Sequence, residues 1–279
     1  MNILAIGDVV SARGCEFLRK TLPAFKKNKG IDLCIANAEN SATGNGITPE
    51  SARFLLDSGV DLLTGGNHSF RRREVYEFLD ESRSILRPAN YHAGNPGQGF
   101  TVIDMGRTRA AVVNLSGVCC LENAENPFLC IDKILAELTG IPIILVDFHA
   151  EATSEKRAMG FYLDGRVCAL FGTHTHVQTA DAQILPQGTG YISDLGMTGA
   201  VQSVLGIAPE LSIRWLKTGM PTRFEAAEGG KDMLNGCIFS VDEKSGKCTG
   251  VERVWVEGQQ QNERIPTVGA NCVRPMPCG

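Results

Sequence analysis

The strongest constraint on the fold is an alternation of short β-rich runs with amphipathic helical stretches, which continues through about residue 175. Such alternation predicts a layered α/β fold. The predicted strands are Ile3–Ile6, Leu33–Ala36, Val60–Leu63, Phe100–Ile103, Ala110–Leu115, Ile141–Val146, Val167–Phe171, Cys237–Val241 and Val251–Val256. The predicted helices are Cys15–Asn28, Pro49–Ser58, Arg72–Glu81, Phe128–Leu138, Ser154–Tyr162 and Ala208–Lys217.

The length of 279 residues suits a single α/β domain, which we expect to cover residues 1–256. Residues 257–279 lose the periodicity and gain Gln, Asn and Pro, which is typical of a polar tail that adds little to a core. The net charge of −4 is spread without long blocks of one sign, so nothing favours stable DNA binding or a membrane surface. Apolar runs fall well short of the ~18 residues that a membrane span needs. The N-terminus starts as a strand instead of a leader, so we expect a cytoplasmic protein.

Cysteine usage gives a second indication of the compartment. No two of the ten cysteines form a Cys-x-x-Cys pair, and several, such as Cys34 and Cys168, sit inside apolar runs. This pattern predicts free, buried thiols in a reducing compartment, and its spacing argues against a structural zinc site.

Five apolar runs end in a side chain that can bind a metal ion. These side chains are Asp8, Glu39, Asn40, Asn67, His149, His174 and His176. In sheets with helical crossovers, the loops that leave the carboxyl ends of strands gather at one edge, so we expect these residues to converge. Any one of them has an ordinary structural explanation, such as a helix cap, a turn or a buried core histidine. Their repetition at five strand ends favours a shared site.

The chemistry of these side chains indicates which ions would bind. Carboxylate oxygen, amide oxygen and imidazole nitrogen without thiolate suit Fe, Mn, Co or Zn better than calcium. Seven candidates exceed the needs of one ion with an open position, so we predict two ions ~3.5–4 Å apart that share a carboxylate. In the "HTH" segment, we expect His174 and His176 to point the same way from extended backbone, each toward its own ion. Thr173 and Thr175 should then face elsewhere.

Six strings together point to a known family. They are "GDVV" at 7–10, "NAEN" at 37–40, "GGNH" at 65–68, "DFHAEATSEK" at 147–156, "GTHTHVQTAD" at 172–181 and "GYISDLGMTG" at 190–199. With these strings the chain resembles the calcineurin-like metallophosphoesterases over about residues 1–256, and more narrowly their small bacterial YmdB-type branch. The two longest strings are far more specific than a bare Gly-Asn-His.

The resemblance implies a four-layer α/β/β/α sandwich with a dinuclear site, commonly of Fe or Mn, that hydrolyses phosphoesters including 2',3'-cyclic nucleotides. Carried over by motif, one ion is held by Asp8, Glu39, Asn40 and His176. Glu39 bridges to the second ion, which is held also by Asn67, His149 and His174. His68 lies beside the leaving-group oxygen. The implied mechanism is attack by a metal-bridging hydroxide, with His68 as general acid.

Several residues keep two interpretations. His68 could instead only orient a metal ligand. Asp147 and Glu151 flank His149, and either could accept its free ring proton, while Glu151 could equally be the first-turn acid of the following helix; Asp181 is similarly ambiguous. Among other candidates, a basic patch at Arg71–Arg73 could contact RNA or form a solvated helix face, and Tyr91 and His92 could meet a base or belong to a turn-rich connector.

The chain also departs from the family pattern. Ser69 and Phe70 precede three arginines where an aromatic residue and an acid are common, and the first loop has Ser11 and Cys15 where glycine and arginine are expected. None of these positions is a proposed ligand, so the departures bear on substrate preference, and the substrate-binding residues stay unknown.

Two function classes remain. The first is a dinuclear phosphodiesterase acting on nucleotides or RNA ends, with a phosphomonoesterase as the rival enzyme. The second is a regulatory protein that acts mainly through a partner. The intact set of seven ligand candidates favours the enzyme, and the sequence leaves self-association into a homo-oligomer open.

Overall fold

The computed structural model describes residues 1–121 and 123–258 of the chain. The predicted polar tail from residue 259 onward lies outside the described residues, as do Cys272 and Cys278. Glu257, which we assigned to the tail, is the last residue of the final strand. No helix within the described part of the chain combines the length and the apolar character that a bilayer span requires. The cytoplasmic location stays a prediction.

Strands and helices alternate along the chain, as the sequence predicts. The strands are β1 Asn2–Ile6, β2 Asp8–Val9, β3 Leu33–Asn37, β4 Leu62–Thr64, β5 Phe100–Asp104, β6 Arg109–Ser116, β7 Ile143–His149, β8 Ala169–Thr173, β9 Gln183–Ile184, β10 Gly190–Ile192, β11 Met197–Ala200, β12 Asp232–Val241 and β13 Cys248–Glu257. The helices are α1 Ser11–Lys29, α2 Pro49–Asp57, α3 Tyr76–Glu81, α4 Pro127–Glu137, α5 Thr153–Leu163 and α6 Pro209–Thr218.

The strands form two sheets. The first has the order β2-β11-β12-β1-β3-β4, and β13 also pairs with β12. Its strands β1, β3 and β4 are parallel, whereas β12 runs antiparallel to β1. The second sheet has the order β5-β6-β7-β8-β10-β9. Its strands β6, β7, β8 and β10 are mutually parallel. In each sheet the parallel strands therefore end at the same edge.

Three apolar clusters separate four layers. Alternate residues of β1 face opposite sides, as a strand requires: Leu4 and Ile6 pack toward α1 and α2, whereas Ile3 and Ala5 pack toward the second sheet. A third cluster lies between the second sheet and helices α4 and α5. The layer order is thus helices, sheet, sheet, helices, which confirms the expected α/β/β/α sandwich.

Three predicted strands begin too early for one physical reason. The backbone N–H groups of Val60, Ile141 and Val167 donate to Leu55, Leu138 and Leu163 respectively, so each residue still closes the preceding helix or its last turn. Backbone donors used in this way are not available to a sheet. The apolar side chains that look like strand starts belong to the ends of helices.

Other boundaries differ for local reasons. The predicted helix Arg72–Glu81 is a 3-10 turn over Arg73–Val75 followed by α3. The start of α2 is as predicted, because the Thr48 side chain accepts the Ser51 N–H and Pro49 occupies the first turn. The strands β2, β9, β10 and β11 were not predicted, since each has at most four residues and cannot show a period of two.

The described cysteines carry free thiols. Cys15, Cys34, Cys168, Cys237 and Cys248 are buried, but Cys119 and Cys120 are exposed, so the prediction of burial is wrong for this adjacent pair. They lie in the loop that follows β6.

Candidate metal centre

The seven predicted ligands all lie where strands of the two sheets end. Asp8 begins β2 directly after β1, Glu39 and Asn40 follow β3, and Asn67 follows β4. In the second sheet, His149 is the last residue of β7, whereas His174 and His176 follow β8. Contacts between side chains of the two sheets bring these residues into one group.

The first set of contacts is centred on the Nε2 atom of His149. This atom lies 3.1 Å from Glu39 Oε1, 2.8 Å from Asn67 Oδ1 and 3.1 Å from His174 Nδ1. Two oxygens and two ring nitrogens therefore meet, and a single proton on His149 Nε2 can lie between only one pair of them. Atoms that carry lone pairs crowd together in this way when a cation holds them. Glu39, His149 and His174 can each offer one ligand atom, and these three atoms lie within 4.8 Å of one another.

A second set of contacts adjoins the first. His176 Nε2 lies 3.5 Å from Asp8 Oδ1 and 3.3 Å from Asn40 Nδ2. The Asn40 amide also donates to Glu39 Oε1 over 3.3 Å. Rotation of this amide by 180° exchanges its nitrogen and oxygen, which would place an oxygen among the other ligand-type atoms.

Glu39 connects the two sets. Its side chain is 1% exposed, and its Oε1 atom contacts both His149 and Asn40. Its Oε2 atom accepts the backbone N–H of His68 over 2.8 Å. A carboxylate in this position can be shared by two ions.

The "HTH" segment differs from the prediction of extended backbone. Strand β8 ends at Thr173, and both His174 (φ 104°) and His176 (φ 62°) have left-handed backbone conformations. The backbone N–H of His174 donates to Asp8 Oδ2 over 3.1 Å. The orientation of the two rings is therefore set by a tight turn and not by the alternation of side chains along a strand.

Thr173 does not face away from the site, which corrects a second expectation. Its Oγ1 lies 2.9 Å from His149 Nδ1 and donates to Asp147 Oδ1 over 2.8 Å. Asp147 also accepts the hydroxyl of Thr64. If His149 Nδ1 carries a proton and donates it to Thr173 Oγ1, the lone pair of Nε2 is directed at the site. Burial raises the pKa of Asp147 to about 6, although hydrogen bonds from both threonines and the charge of His149 oppose the shift.

The two acids that flank His149 therefore have separate partners. Asp147 reaches that ring only through Thr173, whereas Glu151 Oε2 lies 3.0 Å from Nε2 of His174. A proton shared there leaves His174 Nδ1 facing His149. His176 is oriented in the same manner, because its Nδ1 donates to the carbonyl of Leu205 over 3.2 Å.

His68 lies at the edge of the group. Its Nδ1 is 3.0 Å from Asn40 Oδ1, and its side chain is 23% exposed. Burial lowers the pKa of His68, and the Arg71 charge adds to this effect, while the negative charge of Glu39 opposes it. The ring is thus accessible from outside and contacts a predicted ligand.

The charges of the predicted ligands are arranged to attract cations. Burial alone would raise the pKa of Asp8 and Glu39, but neighbouring histidines outweigh it and both carboxyl pKa values are lowered. Burial would lower the pKa of His149, but the charge and hydrogen bond of Glu39, together with the charges of Asp8 and Asp147, outweigh it and raise the pKa to about 9. Two ionised carboxylates therefore lie side by side in a buried site.

Comparison with known proteins identifies the family. A family model described as YmdB-like protein matches residues 4–254. The chain belongs to the YmdB-like family. The resemblance stated from the motifs is confirmed.

Three relatives of this family member cover nearly the whole chain. The 2',3'-cyclic-nucleotide 2'-phosphodiesterase of Bacillus subtilis is 43% identical over 257 residues, which cover 92% of this chain and 97% of the relative. The crystal structure of a phosphatase from Mycoplasma pneumoniae has a TM-score of 0.88 and 34% identity, with 95% of each chain covered. A hypothetical protein from Thermus thermophilus has a TM-score of 0.87 and 39% identity, with 92% of this chain and 99% of that chain covered.

The arginine cluster is divided in this family member. Arg72 donates from Nε to the carbonyl of Asn45 over 3.1 Å and from Nη2 to that of Thr43, so it holds the loop that follows Asn40. Arg71 and Arg73 are exposed. The middle arginine is therefore a structural residue.

The other candidates lie in local structure. His92 accepts the N–H of Gly94 over 3.1 Å within an exposed turn. Tyr91 is buried with its ring centroid 6.0 Å from that of Phe70. Asp181 accepts the Ser193 N–H over 3.1 Å, so it anchors a loop rather than a helix.

Sequence reasoning missed two hydroxyl groups, those of Thr64 and Thr173. Each is the last residue of a buried strand; Thr173 directly precedes His174, and Thr64 lies three residues before Asn67. A threonine at the carboxyl end of an apolar strand was the available signal, and it is too common to be recognised without the contacts.

Proposed function

We propose that this chain is a dinuclear metal-dependent phosphodiesterase that hydrolyses phosphoesters of nucleotides or RNA ends, 2',3'-cyclic nucleotides among them. The observation that carries the proposal is the convergence of Glu39, Asn67 and His174 on Nε2 of His149. The chain is a phosphoric ester hydrolase by family, and divalent metal ions are implied by that membership. The name of the Bacillus relative supports the cyclic-nucleotide substrate.

The donor set fits two ions. One ion would be held by Asp8, Asn40 and His176, the other by Asn67, His149 and His174, and Glu39 would be shared. Oxygen and imidazole donors without thiolate favour Fe or Mn, with Zn and Co as alternatives. When bound, such ions neutralise the charge of a phosphate group and supply a nucleophile at neutral pH.

The protein's own residues orient the donors and move a proton. The Thr173 hydroxyl and the Leu205 carbonyl accept from His149 and His176, which leaves a lone pair on the ring nitrogen that faces the site. His68 Nδ1 lies 3.0 Å from Asn40 Oδ1, which can accept a proton held on Nδ1. As the imidazolium, His68 would give its Nε2 proton to the departing oxygen and would be left as neutral imidazole.

The test compares His68→Ala with the matched control His92→Ala, since His92 lies in an exposed turn. Metal content and hydrolysis of 2',3'-cyclic AMP, 3',5'-cyclic AMP and a phosphomonoester are measured on the same samples. The wild type should contain metal and open only the 2',3' ring. The His68 variant should keep its metal, and its turnover should fall about 10²–10⁴-fold. The His92 variant should behave as wild type. Full activity of His68→Ala would remove it from the acid role.

A phosphomonoesterase is the second candidate, because the related Mycoplasma structure is named a phosphatase. Faster hydrolysis of the monoester than of 2',3'-cyclic AMP would favour it. A wild-type protein that contains metal but hydrolyses none of the three substrates would favour a regulatory role through a partner.

A further inference from the structure

A buried ion pair lies next to the candidate metal centre without contributing a ligand to it. Lys156 in α5 places Nζ 2.7 Å from Oδ2 of Asp194, which follows β10. Their side chains are 2% and 1% exposed. A buried ion pair rarely stabilises a fold more than apolar side chains of the same volume would. Its presence therefore suggests that one of the charges holds something else in place.

Asp194 binds the backbone between the two histidines of the "HTH" segment. The same Oδ2 atom accepts the N–H of Thr175 over 3.0 Å. Its other oxygen accepts the N–H of Gly196 over 2.9 Å. One side chain thus ties residue 175, which lies between His174 and His176, to the start of the next strand segment.

This turn needs such a restraint. His174 and His176 both have positive φ, a conformation that L-residues keep only where the surrounding structure imposes it. The restraint continues beyond the turn, because Thr179 donates its N–H to the Asp194 carbonyl over 3.1 Å and its Oγ1 accepts the Asp194 N–H over 2.9 Å. Asp194 is therefore bonded on both sides of His176.

The Lys156 side chain packs against Gly172 on its way to Asp194. A Cβ atom at Gly172 would lie 2.9 Å from Lys156 Cε and 1.9 Å from the Ser193 carbonyl oxygen. The lysine stem therefore passes close to Gly172 near the end of β8, where the missing side chain makes room for it. The ammonium group reaches Asp194 along this path and compensates its buried charge.

We propose that Asp194, compensated by Lys156, is the positioning residue that holds His174 and His176 in the geometry required for metal binding. The inference rests on the proposed function, since it assigns to those histidines the role of ligands. It adds a residue that touches neither metal nor substrate and acts through the Thr175 amide.

Two variants distinguish the effect of the Asp194 carboxylate oxygens from the effect of the ion pair with Lys156. Lys156→Met removes the ammonium and keeps both carboxylate oxygens, whereas Lys156→Met combined with Asp194→Leu also removes the oxygens and approximately conserves volume. Each metal-free variant and the wild type are titrated with Mn²⁺ by calorimetry. Amide hydrogen exchange of the Thr175 N–H is measured on the same metal-free proteins.

The double variant should bind Mn²⁺ about tenfold or more weakly than Lys156→Met, a loss typical of residues that orient metal ligands. Its Thr175 amide should exchange faster as well. A weaker affinity without faster exchange would overturn the inference, because lost negative charge alone would then explain it. Equal affinities of the two variants would overturn it too.

Two further results keep the test decisive. If leucine prevents folding, Asp194→Ala in the same background removes the same oxygens. A Thr175 amide that exchanges freely in metal-free wild type contradicts the proposed restraint without any variant. A wild type that binds neither Mn²⁺ nor Fe²⁺ would refute the proposed function and this inference with it, whereas metal binding that is unaffected by the double variant would refute this inference alone.

Discussion

Replacing Thr173 with valine should weaken both the fold and the candidate metal centre. The Thr173 hydroxyl lies between His149 Nδ1 at 2.9 Å and Asp147 Oδ1 at 2.8 Å. All three residues are fully buried, so water cannot replace the hydroxyl. Valine has nearly the same shape, so the change removes the two hydrogen bonds with little change in packing.

The magnitude follows from these two contacts. Loss of a hydrogen bond to a carboxylate costs about 1.5–3 kcal/mol, and a buried ring N–H left without a partner costs about 1–3 kcal/mol. The added methyl group offsets about 0.8 kcal/mol. The free energy of unfolding should therefore fall by about 3 kcal/mol, and the affinity for Mn²⁺ should fall about 10–100-fold, because the tautomer of His149 is no longer fixed.

The assay is urea denaturation of the metal-free protein together with a calorimetric Mn²⁺ titration. Thr198→Val is the matched control, because the Thr198 hydroxyl is also buried but has no hydrogen-bond partner among the described residues. That control should not lower the free energy of unfolding, because no hydrogen bond is lost and the added methyl group contributes about 0.8 kcal/mol. Equal losses in the two variants would refute the reasoning, since they would show that the contacts of Thr173 are irrelevant.

Three further results are expected. His149, whose pKa is raised to about 9 by Glu39 against the opposing effect of burial, is protonated in the metal-free protein below that pH and must lose its proton to bind an ion. Mn²⁺ binding near neutral pH should therefore release about one proton, and the affinity should increase as the pH rises toward that pKa. Calorimetry in buffers of different ionisation enthalpy measures the number of protons released. A value of zero would contradict the prediction. Gly66→Ala should abolish Mn²⁺ binding, because a Cβ there would lie 2.4 Å from His149 Nε2 and 2.5 Å from Glu39 Oε2, whereas Gly199→Ala, with its nearest contact at 3.5 Å, should bind normally. Peptide mapping after alkylation of the folded protein should show label on Cys119 well before Cys34, whose burial raises the pKa of its thiol; equal labelling would indicate that the core opens.

The ligand positions could be predicted because they depend on a simple rule of sheets. A polar residue such as Asp8 or His149 at the end of an apolar run can be recognised from the run itself, and parallel strands bring their carboxyl ends to one edge. That rule holds within one sheet, and residues 39 and 149 lie in different sheets. Their contact at 3.1 Å also requires the two sheets to pack with these edges together.

The orientation of the side chains could not be predicted in the same way. The expectation for His174 and His176 was wrong because the period of a strand was extended past its last residue, into a turn with positive φ. The roles of Asp147 and Glu151 were left open for a related reason. Both flank His149 in sequence, but which ring each reaches depends on Thr173 and on the turn after β8.

The amino-acid sequence by itself determined the layered α/β class, the family and the residue types gathered at the strand ends. These follow from local periodicity and from side chains that directly follow apolar runs. Only the tertiary structure decided which nitrogen of each histidine faces the centre, because partners distant along the chain, such as Leu205 for His176, accept the other ring proton. The same holds for Asp194, whose contact with Thr175 requires the turn after β8 to lie beside the segment after β10, where Lys156 of α5 compensates the buried carboxylate.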